Sequence, residues 1–328
     1  MELVISASAE PAPHPSPLHG RLCILAAAIL WSLSGLFTKA LTKETFLGVH
    51  VPDLATWDLG DTKIPIQIAF YRALFAGLVL VPTLRRADIQ FRPMMLLMLA
   101  CFALMNASFI TAQALGTAAN AILLQNSAPL WMYLASVLWL GEQATWRSTL
   151  SLLFGMAGIG IIVAGGWEGE GILIAGIGLF SGFTYAGVIL GLRILRDISS
   201  SWLTVWNHLL GSLLLIPFVV GLSPPTWQQF IVLFLFGALQ LGLPYWLMAR
   251  GLRSVSAPEA GAITLLEPLL TPIWPWLLAD EVPGLWTYIG GAVILAALAY
   301  RYLPLRSEPP NEMDRAQASR YDDGRRET

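Results

Sequence analysis

Of 328 residues, 56% are hydrophobic and only 12% are charged, with a mean hydropathy of +0.65; soluble chains carry about 25% charged residues, so water is not the main solvent here. A formal net charge of −2 gives no basic excess that would attract nucleic acid. Cys23 and Cys101 lie far apart inside apolar runs, where free cysteine behaves as a small buried hydrophobe rather than as half of a disulfide or metal site.

In chain order, residues 1–20 contain Pro11, Pro13, Pro15 and Pro17 with His14 and His19 and read as a disordered tail. The run from Leu22 to Thr38 is longer than the core of a cleaved leader and is followed by more spans, so its retention is expected. A crossing helix needs about 20 apolar residues, and the gaps between charges supply them. Residues 64–84 hold only Arg72, and 93–141 hold no charge and divide into two spans at Gly116 to Ala119. Residues 148–167 and 171–192 are separated by Glu168 and Glu170; 198–249 divide at Ser223-Pro224-Pro225, where X-Pro pairs disfavour helix; 254–279 carry only Glu259 and Glu267; 282–300 carry none. The sum is ten transmembrane helices. The stretch after residue 305 is dense in Glu, Asp and Arg and reads as a second disordered tail.

Lys and Arg in short loops favour the cytoplasmic side. With the N-terminus inside, the inner loops and span ends collect Arg21, Arg85, Arg86, Arg92, Arg147, Arg193, Arg196, Arg250, Arg253, Arg301 and Arg306, whereas the outer ones hold only Lys39, Lys43 and Lys63. The outer segments gather Glu44, Asp53, Asp58, Asp61, Glu168, Glu170, Asp280 and Glu281. A multi-pass protein of the cell membrane with both termini cytoplasmic fits this alternation.

The chain also repeats itself. Ala128-Pro129-Leu130 leads to Gly141-Glu142, and 139 residues further on Glu267-Pro268-Leu269 leads to Asp280-Glu281, with thirteen residues from Pro to Glu in both copies. Leu30-Trp31-Ser32 matches Leu179-Phe180-Ser181, and Tyr71-Arg72 lies opposite Trp206-Asn207. Five spans per copy is an odd number, so the two copies enter the membrane in opposite senses, a hallmark of carriers that exchange inward-facing and outward-facing shapes. The expected fold is therefore an all-α integral membrane protein of two inverted five-helix repeats, residues 21–166 and 167–304.

With Trp31-Ser32, Tyr71-Arg72, Pro129 with Gly141-Glu142, Glu267-Pro268 and Glu281 in this order, the chain from Leu22 to Tyr302 resembles the drug/metabolite transporter superfamily, specifically proteins with two EamA-type domains. Asp280 replaces the Gly that usually precedes the second acid. The resemblance implies a ten-helix carrier with a central cavity between its halves, and members that export amino acids, drugs or other small metabolites.

A charge at the bilayer centre costs about 2.5–3.5 kcal/mol on insertion scales and seldom faces lipid, which singles out Arg72 and Glu267. Arg72 either holds an anionic group of the solute or the lumen-facing end of a gate, or else ties helices together or snorkels from its helix end; Glu267 either binds an amine or a coupling proton, or ties helices together. Gln125 and Asn126, a turn before Pro129, are candidates for solute or ion binding, as are Asn207 and Gln240; interhelical hydrogen bonding is the alternative for all four. Trp31 and Tyr185 are candidates for aromatic cavity walls or interface anchors. Pro129, Glu142, Pro268 and Glu281 are the structural motif. Gly178, Gly182, Gly187 and Gly191 are spaced for close helix packing.

No His-Glu pair has metal-ligand spacing and His208 stands alone within a span, so neither a metal nor a catalytic constellation is expected. Without a phosphate-binding Gly loop, no nucleotide cofactor is expected and transport is secondary. The expected function is export of a small metabolite by alternating access, with a channel, an intramembrane enzyme or a lipid-handling protein as the alternative.

Overall fold

A computed structural model describes residues 17–42, 45–46, 49–50, 64–138, 146–166, 171–195, 197–252, 254–255 and 257–302. The expected tails at 1–16 and beyond 302 lie outside the described residues, as does Glu142. Residues 17–20 are described and are helical: α1 begins at Pro17, where a missing N–H costs nothing in a first turn. Gly20 is buried against Ser254 and Val255, so the first helix starts earlier than the apolar run alone indicates.

The first pass is α1 (Pro17–Ser32) and α2 (Ser34–Thr42), joined at Leu33. A small antiparallel ribbon follows, β1 (Thr45–Phe46) on β2 (Val49–His50), with Thr45 opposite His50. Next come α3 (Ile64–Leu80), α4 (Met94–Leu115), α5 (Ala118–Gln125), α6 (Ala128–Leu138) and α7 (Trp146–Gly166). The second half is α8 (Ile172–Ile194), α9 (Ser200–Val219), α10 (Trp227–Leu235), a π-helical segment Phe236–Gly242, α11 (Leu243–Gly251), α12 (Ala257–Thr264), α13 (Leu266–Leu270), α14 (Ile273–Leu278) and α15 (Leu285–Tyr302).

These elements make ten passes. Among the described residues, six runs are long and apolar enough to cross a membrane unaided, and Thr149–Gly165 and Leu285–Tyr300 are shorter apolar helices. The other two passes, α5 with α6 and α12 with α13 and α14, are broken and occupy equivalent places in the two halves. Helices here are apolar on both sides because lipid replaces water: α4 turns Met98, Phe102 and Asn106 inward and leaves Leu97 and Leu104 exposed.

Packing follows an internal twofold. Equivalent helices pair with each other, α3 on α9 and α7 on α15. Non-equivalent pairs come in matched sets: α4 lies on α8 as α11 lies on α1, and α5 and α6 meet α8 as α12 and α13 meet α1. At the α7–α15 crossing a Cβ on Gly158 would sit 2.7 Å from the Gly290 carbonyl, and one on Gly290 would sit 2.6 Å from that of Gly158; only glycine at both positions allows this approach. The glycines of α8 split their work, with Gly178 and Gly182 against Leu124 and its carbonyl in α5, and Gly187 and Gly191 against Cys101 and Met98 in α4.

Candidate functional site

Two helix breaks and a π-helical segment frame a cavity of about 440 Å³ between the halves. In the first half, α5 ends at Gln125 and Pro129 lies in the first turn of α6. Proline lacks the N–H that would bond the carbonyl four residues back, so the helix opens at Asn126 and Ser127. The Asn126 side chain donates to Ile122 O at 2.8 Å, and the Ser127 hydroxyl accepts from Trp131 Nε1 at 3.0 Å. Gln125, Asn126 and Pro129 face the cavity. In the second half, Pro268, Pro272 and Pro275 cut the pass into short helices, and Glu267 reaches the cavity from the first turn of α13.

Opposite stands α10 and its continuation. Pro244 cannot donate to the carbonyl of Gln240, and the ladder slips to a π register, with the Leu243 N–H bonding Ala238 O; π segments of this kind often mark functional sites. Gly237 and Gly242 let the segment approach α3, a Cβ on Gly237 meeting Arg72 O at 2.6 Å. Gln240 lines the cavity and donates from Nε2 to Trp31 O at 2.9 Å, while its Oε1 is buried without a partner. Trp31, Tyr245 and His208 form an edge-to-face series with centroid spacings of 5.4 and 5.1 Å. The His208 ring bonds Thr204 O through Nδ1 at 2.7 Å, leaving Nε2 buried and unpartnered.

Arg72 is the most telling side chain. It sits in the middle of α3, is 4% exposed and lines the cavity, so snorkelling does not describe it. Its guanidinium lies 5.0 Å over the Phe236 ring and 5.8 Å from that of Phe109, while Nε and Nη1 have no hydrogen-bond partner. Desolvated cation–π contacts are worth about 2 kcal/mol or more each, whereas each unmet buried donor costs about 1–3 kcal/mol; the two effects are of similar size, and the rings supply no counterion. Glu267 faces the same cavity, but none of the ion pairs among the described residues joins it to Arg72. The chamber thus holds a separated cation and carboxyl between aromatic walls.

Of the sequence candidates, Arg72, Glu267, Gln125, Asn126, Trp31, Tyr185 and Gln240 all border this cavity. Asn207 does not: it is buried on α9, a helix that packs on α3 and α4. Phe109 and Phe236 were not legible in the sequence as site residues, because Phe is ordinary in any apolar helix and only tertiary contact lays rings against a guanidinium; Asn106, polar within an apolar run, borders the cavity as well. Lys39 is a correction of another kind. Counted among the outer charges, it is in fact buried in α2 and pairs with Glu281, Nζ to Oε2, at 2.9 Å.

A second hollow of about 620 Å³, bordered by Leu123, Pro268, Leu269, Trp276 and Tyr288, lies on the other side of α13 and is almost wholly apolar. Among the described residues no group of His, Cys, Asp and Glu is placed to hold a metal ion.

The sequence profile of the EamA-like transporter family matches residues 59–164 and again 171–302. An uncharacterized transporter of Archaeoglobus fulgidus is 31% identical over 244 residues, 73% of this chain and 86% of that protein. The pseudopaline exporter CntI of Pseudomonas aeruginosa is 26% identical over 271 residues, 80% of this chain and 94% of its own length. One solved crystal structure superposes on 89% of this chain and all of its own, with a TM-score of 0.60 and 16% identity, which is a likeness of fold.

Proposed function

The chain belongs to the EamA-like transporter family, and from that premise we propose that it is a secondary active carrier moving a small organic solute by alternating access through the central cavity. The observation that carries the reading is Arg72: a buried, cavity-facing guanidinium with two unmet donors and no ion-pair partner among the described residues is a site prepared for an anionic group supplied by the solute. Glu267, in the same chamber, takes an amine of the solute or a coupling proton. Gln125, Asn126 and Gln240, at helix interruptions, offer polar side chains and freed backbone to the solute's remaining groups. Trp31, Tyr185 and Tyr245 provide its aromatic walls.

The two carrier units are residues 21–166 and 167–304, set in the cell membrane with both termini on the cytoplasmic side, in accordance with the arginine-rich loops. Export is the direction we assign, supported by the likeness to the pseudopaline exporter of Pseudomonas aeruginosa.

Purified protein in proteoliposomes tests the reading. Labelled amino acids and other small carboxylates should enter with saturable kinetics and be accelerated by unlabelled solute on the far side. Ion conductance without saturation would assign a channel instead, and turnover to a product without vectorial movement an enzyme.

A further inference from the structure

Above the cavity, the end formed by α2, the start of α5 and the approach to α15 holds a closed cluster of buried charge. Lys39 and Glu281 are 5% and 7% exposed. Lys39 donates to Glu281 Oε2 at 2.9 Å and to Gly116 O at 2.6 Å, while Glu281 Oε1 accepts the Ala118 N–H at 2.7 Å. The side-chain bonds of the cluster cross between passes: Lys39 from the first, Gly116 from the turn between the third and fourth, Ala118 from the start of the fourth, and Glu281 from the segment between the ninth and tenth. Glu281 belongs to the second repeat yet caps the broken helix α5 of the first, the helix whose far end presents Gln125 to the cavity.

One turn deeper a second layer bars the same route. Gln113 Nε2 donates to Ser34 Oγ at 2.9 Å, and Thr38 Oγ1 donates to Gln113 Oε1 at 3.0 Å, all of them buried. The cavity begins only below this layer, at Ile122 on α5, and extends away from it to Met248 near the end of α11 and Leu298 near the end of α15. The chamber therefore reaches toward the face opposite Lys39 and is barred on the Lys39 face.

We propose that Lys39 and Glu281 are gating residues: their ion pair shuts the mouth of the cavity on their own face and must part before solute can pass there. A buried pair adds little net stability compared with an apolar substitute, yet leaving one member alone is costly, so the pair favours two discrete arrangements, joined or both rehydrated. That behaviour suits a gate. The inference rests on the carrier reading given above.

The test uses the full chain in membrane vesicles of both orientations, with Cys23→Ser and Cys101→Ser and a reporter Ile189→Cys at a cavity-lining position that has no polar role. A membrane-impermeant maleimide should label the reporter from the face opposite Lys39 and only slowly from the Lys39 face. Adding Lys39→Met with Glu281→Gln, which removes both charges together, should speed labelling from the Lys39 face at least tenfold. Lys39→Arg should restore the slow rate, a rescue that a packing role would not give. As a second arm, Lys39→Cys with Glu281→Cys bridged by a short bis-maleimide should stop labelling from that face and stop flux. The proposal is overturned if the neutral pair leaves the Lys39-face rate unchanged while labelling from the other face persists, or if the bridged protein still admits reagent and solute. Saturable flux with an unresponsive reporter sinks the gate alone; a responsive reporter without flux of any solute sinks the carrier reading alone.

Discussion

Arg72 combines a high cost with an incomplete set of partners. Placing a charge at mid-membrane costs about 2.5–3.5 kcal/mol, and two aromatic faces offset part of that while two donors remain unmet. If the balance is completed by solute, Arg72→Gln should raise the KM for an anionic solute at least tenfold in proteoliposome uptake, with little loss of folded protein by size-exclusion chromatography. Phe236→Leu, which removes one ring from the guanidinium, should raise KM by a smaller factor. Glu267 gives a prediction about pH. If its carboxyl carries the coupling proton, solute uptake should rise with an imposed pH gradient in the native protein, and Glu267→Gln, fixed in a neutral form, should lose that dependence. A variant that kept the native pH profile would remove Glu267 from proton coupling.

At the scale of elements, the cavity exists because certain helices fail to be regular. Pro129, Pro244 and Pro268 each lack an N–H, and each withdraws a bond from a carbonyl beside the chamber. Pro244→Ala restores the donor and lets the α register replace the π segment, which would rotate Gln240 and Phe236 away from their present contacts. The expected result is a thermal midpoint unchanged or raised, together with slower transport; faster transport would contradict a role for the segment in shaping the site. Gly290→Ala tests the other kind of element contact. Its Cβ would meet backbone rather than a side-chain end that can swing aside, so α15 must shift, and a loss of about 1–3 kcal/mol is expected from overpacking, read as a lower midpoint in detergent.

At the scale of the whole molecule, the pairing of α3 with α9 and of α7 with α15 places the axis of the pseudo-symmetry between the members of both pairs, with both broken passes bordering one chamber. An even number of passes puts the chain ends on one side. Tags at residues 1 and 328 should therefore be accessible from the same face of the membrane, and accessibility from opposite faces would break the inverted-repeat account of its charges.

The sequence by itself determined the solvent, the spans and the duplication. Charge-free runs of span length, Pro at matched offsets and paired acids are local properties, and the membrane penalty ties each of them directly to helix length and number. It also marked Arg72, Glu267 and Gln240, because polar groups inside apolar runs are costly wherever they end up. Only the tertiary structure decided which of these share a chamber. Asn207 is as polar as Gln240, yet the rotation of α9 against α3 and α4 keeps it away from the cavity; Lys39 and Glu281 lie 242 positions apart in the chain and meet only because the repeats interlock. Helix rotation and packing of distant passes depend on side-chain contacts across the whole bundle, and no single apolar run carries that information.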